Sequence, residues 1–185
     1  MKAMFGLVLL AALYYGHGYY VFGESHLNAW FAKHNQALVE GRDGVCDVYS
    51  PDVRFNFTQR TPEGDLLQEG GYSKLCDALT GGGNKAMSIA ALRAMGGNLN
   101  IYTRVVSVEP AEFPWLQATV RAQQATRMTL GRTPPLVEKG EATLVIERTL
   151  QGLKVKQMTG SSDVQILEDE VVETAGDATE ASIKP

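Results

Sequence analysis

At Gly96-Gly97 the sequence changes period. Before this step apolar side chains recur every three or four residues, with one alternating stretch among them; after it they alternate almost throughout. Upstream, Leu27, Trp30, Phe31, His34 and Leu38 predict an amphipathic helix from about Ser25 to Glu40, with Gly41 as its stop. Asp43 is a good N-cap for a short helix through Tyr49, with Val45, Val48 and Tyr49 inward, and Ser50-Pro51-Asp52 breaks it. Val53, Phe55 and Phe57 alternate with Arg54, Asn56 and Thr58 in a half-buried strand. Tyr72, Leu75, Cys76 and Leu79 share one face of a helix over Gly71–Leu79, and Lys85–Met95 reads as another. Downstream, strands are expected over Asn100–Glu109, around Leu116–Gln123, around Ala142–Ile146 and from Leu153 to Met158, the last two joined at Gln151-Gly152. Helices first, one strand among them and then a meander describe an α+β fold, with N-terminal helices packed on one face of a curved antiparallel sheet.

The first 23 residues set the expected compartment. Met4–Tyr15 is a continuous apolar run, and Tyr19–Phe22 extends it past Gly16-His17-Gly18. The stretch is about long enough to cross a bilayer as one helix, for which roughly 20 residues are typical. Lys2 precedes it, Glu24 follows it, and its tyrosines gather at the far end, which favours an N-terminus inside and a body outside. No A-x-A-like site follows, so an uncleaved anchor in the inner (cytoplasmic) membrane is the preferred reading over a cleaved signal peptide. In either case the body is periplasmic or otherwise outside the cell. Cys46 and Cys76, an even pair in an exported chain, are expected to form a disulfide, the alternative being two buried thiols. Residues 1–23 are thus read as anchor or signal, 24–162 as the folded domain and 163–185 as an acidic, disordered tail.

Several functional classes find no support. With a net charge of -4 and no basic stripe, the chain lacks what phosphate neutralisation demands, so no nucleic-acid partner is expected. Gly81-Gly82-Gly83-Asn84-Lys85 lacks the phosphate-loop frame, and no C-x-x-C or other metal-ligand spacing occurs. Neither a metal nor a cofactor is indicated. Arg104 and Arg121 could bind an anionic ligand, but the preferred reading is of strand arginines that face solvent or pair with Glu141 or Glu147.

The run Asn28–Phe57 (NAWFAKHNQALVEGRDGVCDVYSPDVRFNF) resembles the opening of nuclear transport factor 2-like domains, which include ketosteroid isomerases and polyketide cyclases. Its matching pieces are Glu40-Gly41-Arg42-Asp43, Cys46–Tyr49, Pro51-Asp52 and Val53–Phe57, and the hairpin at Gln151-Gly152 fits the family's ending. The resemblance implies a cone-shaped, cystatin-like roll enclosing a pocket, often dimerised through the sheet. The isomerase's acid is missing, because Val53–Phe57 contains none, and Phe31 and His34 stand where its donor tyrosine would be. The polar pocket candidates that remain are His34, Tyr49 and Asn56. These features suggest a membrane-anchored extracytoplasmic scaffold without catalysis, holding a protein partner or forming a homodimer. The alternative is a pocket that binds a small apolar ligand or transforms it as an isomerase or cyclase would.

Overall fold

The computed structural model describes residues 13–18, 20–80, 92, 94–111, 115–131 and 133–167. The expected helix over Lys85–Met95 lies almost wholly outside them, as do Met4–Ala12 of the apolar run and most of the acidic tail.

Helix α1 spans Glu24–Glu40 and buries Leu27, Phe31 and Asn35, one stripe at four-residue spacing. It ends at Gly41, whose backbone is left-handed (φ 66°). The Gly41 and Arg42 N–H groups donate to the Leu38 and Ala37 carbonyls, closing a Schellman cap that needs a residue tolerant of positive φ. The short helix expected over Asp43–Tyr49 is a single 3-10 turn, Val45–Val48. Strand β1 (Tyr49–Thr61) follows, then β2 (Gly64–Gly71) and helix α2 (Tyr72–Thr80). The rest is β3 (Asn98–Pro110), β4 (Gln117–Thr129), β5 (Leu136–Thr149) and β6 (Gly152–Ile166).

The six strands form one sheet in the order β2-β1-β6-β5-β4-β3. All neighbours are antiparallel except β1 and β6, which run parallel. Register shifts interrupt β1 between Tyr49 and Arg54 and β3 between Val105 and Ser107. Such irregularities bend a sheet, and this one curves around a core. Val105, Val120, Ala122, Leu144, Ile146 and Val155 supply its inner face, and Leu27 and Phe31 of α1 pack on them. Polar pairs fasten α1 to the edge strand β3. The Val105 N–H donates to Asn28 Oδ1 at 2.8 Å, and Asn35 Nδ2 donates to Thr103 Oγ1 at 2.9 Å.

Cys46 and Cys76 form a disulfide with their Cα atoms 5.8 Å apart, tying the 3-10 turn to α2. The far end of the apolar N-terminal run is folded against the domain. Val21 and Phe22 lie in the core, and the Arg148 guanidinium donates to the Tyr14 carbonyl at 2.7 Å while sitting 4.3 Å over its ring. Among the described residues no helix is long and apolar enough to cross a membrane.

Candidate functional site

Between α1, α2 and the inner face of the sheet lies a cavity of about 330 Å³. Its walls are mostly apolar, with Trp30, Phe31, Phe55, Phe57, Leu144 and Met158 prominent. Phe57 owes its position partly to a glycine. A Cβ on Gly160 would lie 2.9 Å from the Phe57 ring and closer still to the Glu141 carbonyl oxygen, so the ring has room only because this position carries no side chain.

Two polar groups form a pair on one wall. His34 projects from the middle of α1, and its Nε2 is 3.2 Å from the Tyr49 hydroxyl. Trp30 stacks on the imidazole, its ring 17° from parallel and 6.4 Å away between centroids. Burial lowers the His34 pKa from its ordinary 6.5 to about 4, so the ring is neutral at pH 7. Burial also raises the Tyr49 pKa, which keeps the phenol protonated. The pair is therefore an uncharged donor–acceptor unit, suited to a carbonyl or hydroxyl on an otherwise apolar molecule.

A second polar cluster faces the cavity from the strands. Glu138 accepts hydrogen bonds at Oε1 from Ser162 Oγ (2.6 Å) and Gln59 Nε2 (3.1 Å). Glu138 and Gln59 both line the cavity, with Gln68, Thr103 and Gln124 as further polar lining. Glu138 is the only carboxylate on the described lining, and no lysine or arginine reaches it. Among the described residues no cluster of histidine, cysteine or carboxylate could hold a metal.

The structure thus brings His34 and Tyr49 together on the cavity wall and leaves Asn56 out. Asn56 is exposed, on the opposite face of β1 from Phe55 and Phe57, because successive strand residues point to opposite sides. Arg121 is on the outer face too, 3.3 Å from Glu109, not paired with Glu141 or Glu147. Glu147 instead accepts from Ser50 and faces Lys156, and Glu141 accepts from Gln123. Sequence reasoning passed over Glu138. Positions 138, 140, 142, 144 and 146 share one parity, so extending the expected strand upstream from Ala142 places Glu138 on the face of Leu144 and Ile146.

No family model and no curated protein matches the sequence. Solved structures do match in shape. The beta subunit of benzoate 1,2-dioxygenase from Burkholderia mallei is 14% identical with a TM-score of 0.54, covering 76% of this chain and 90% of its own. The ActVI-ORFA protein from Streptomyces coelicolor is 12% identical with a TM-score of 0.50, covering 75% and 95%. A naphthalene 1,2-dioxygenase with indole bound in its active site reaches a TM-score of 0.57 at 8% identity, covering 78% and 81%. The fold is nuclear transport factor 2-like. His34 of α1, Tyr49 of β1 and Glu138 of β5 line the same cavity. At these identities the likeness speaks for the fold alone, and the site must carry any functional argument.

Proposed function

We propose that this protein binds a small, neutral, largely apolar molecule in the cavity, with the His34–Tyr49 pair as its polar handle. One observation carries the reading. The cavity is preformed, is of a size typical for small-molecule sites, and has one carboxylate and no cation on its described lining. An anionic ligand would meet Glu138 without a counter-charge, whereas a neutral ring with one oxygen would find both an apolar wall and a hydrogen-bonding partner. The enzyme form of the reading, an isomerase- or cyclase-like reaction, needs a base in reach of the ligand. Glu138 is the carboxylate in that position, held by Gln59 and Ser162. The scaffold expectation has no comparable observation behind it.

The anchored, extracytoplasmic location belongs to the same proposal. Its supports are the apolar run ahead of residue 13 and the disulfide, which persists in oxidising compartments.

The test is a titration of the full chain in lipid nanodiscs with 2-naphthol and with 2-naphthoate, empty nanodiscs serving as blank. Saturable binding of the naphthol is expected, with the naphthoate weaker by at least roughly tenfold, the equivalent of about 1.4 kcal/mol. Glu138→Gln should narrow that gap, and His34→Ala should weaken the naphthol by about 0.5–1.5 kcal/mol, the worth of one hydrogen bond. Equal affinity for both probes, unaffected by either substitution, would rule the cavity out as their site.

A further inference from the structure

The β5–β6 turn is built from residues that do not belong in water. Thr149 pairs with Gly152, so the loop has two residues, Leu150 and Gln151. Tight hairpin loops of this kind favour Asn-Gly or Asp-Gly, polar residues that tolerate the turn and face solvent. Here Leu150 stands at the tip and is 99% exposed, more than any other large apolar residue described. An exposed leucine alone would be unremarkable, but its neighbourhood is of the same kind.

The end of the sheet that carries this turn also carries the N-terminal segment. Arg148, two residues from the tip, holds Tyr14 through the carbonyl and the ring, and its backbone N–H donates to the Leu116 carbonyl. Leu13 and Tyr20 stand 62% and 67% exposed within that segment, and Tyr14 is 42% exposed. Directly ahead of Leu13 in sequence lies Met4–Ala12 (MFGLVLLAA), without a charged side chain. The sequence ahead of Leu13 is therefore apolar, and the exposed Leu13, Tyr14 and Tyr20 belong to the segment that Arg148 holds to this end of the sheet. Tyrosine at such a boundary suits the headgroup layer, where its ring is apolar and its hydroxyl wet.

We propose that this end of the sheet is a membrane-docking surface, with Leu150 set into the headgroup layer of the bilayer that holds the N-terminal run. The occupant is lipid because an uncharged apolar segment continues from the patch, and because Tyr14 is fixed to the same strand as the tip. The inference rests on the anchored reading and adds to it. The domain does not swing on its tether but stands on the membrane by one end, with the β1–β2 turn (Pro62-Glu63) at the opposite end facing water.

The chain has only two cysteines, both in the disulfide, so an introduced cysteine is a unique label site. Leu150→Cys and, separately, Glu63→Cys are labelled with the fluorophore NBD in the full chain and reconstituted into phosphatidylcholine–phosphatidylglycerol vesicles. The label at position 150 should show blue-shifted emission and be quenched by lipids carrying a doxyl group near the glycerol. The label at position 63 should behave as it does in buffer. Flotation of the vesicles reads the anchor independently. Protein that floats with a water-like, unquenched label at position 150 overturns the docking surface and leaves the anchor standing. Protein that fails to float overturns both.

Discussion

Acid should weaken this domain through one histidine, by an amount the structure sets. Burial beside Trp30 and Tyr49 lowers the His34 pKa from 6.5 to about 4. Between those values the unfolded chain takes up a proton that the folded chain refuses, so stability falls as pH drops from about 6.5 and levels off below about 4. Linkage puts the loss at about 2 kcal/mol by pH 5 and about 3 kcal/mol by pH 4, both upper limits because the ring keeps some contact with solvent. The comparison to make is wild type against His34→Gln, whose amide can still bond the Tyr49 hydroxyl but does not titrate. Urea unfolding followed by circular dichroism at pH 7 and pH 5 gives the two acid limbs. Carboxylate contributions are common to both proteins and cancel in the difference. Wild type should lose about 2 kcal/mol more than the variant over this interval. If the two limbs run parallel, His34 protonates freely in the folded state. The cavity wall around it would then be wet, and the argument for an apolar ligand site would fall with it.

Two further outcomes follow from the packing. Replacing both cysteines with serine should cost about 3–4 kcal/mol by the chain-entropy model for a separation of 30 residues, read as a shift of the urea midpoint that reductant reproduces in the wild type. Asn28→Ala removes the acceptor of the Val105 N–H at the sheet edge. It should cost about 1–3 kcal/mol and speed amide exchange at Val105, and unchanged exchange there would show that water already serves that edge.

Helix α1 and the face of β1 were legible because burial imposes a period, and Gly41 because few residues accept a left-handed backbone. The cysteine pairing followed from an even count of two cysteines read together with the expectation of export. Strand β2 was not legible. Gly64–Gly71 is exposed along most of its length and carries no alternation, since it is an edge strand paired on one side only, with β1. The polar ends of β4, β5 and β6 were missed for a related reason: Gln124–Thr129 and Ser161–Gln165 continue the ladder beyond the apolar core that marks it. Asn56 is a different kind of error. Its alternation with Phe55 and Phe57 already assigned it to the outer face, and only its polarity recommended it. Glu138 was the reverse case, correct in parity but placed before the expected start of its strand.

The one parallel pairing of the sheet joins its first strand to its last. Strands β3 to β6 form a meander of neighbours and can assemble from local hairpins, but β1 and β2 wait for a partner about a hundred residues downstream. A chain emerging N-terminus first therefore exposes Val53, Phe55 and Phe57 until Gly152–Ile166 has followed. During that interval the early strands are the part of the molecule most open to wrong pairing.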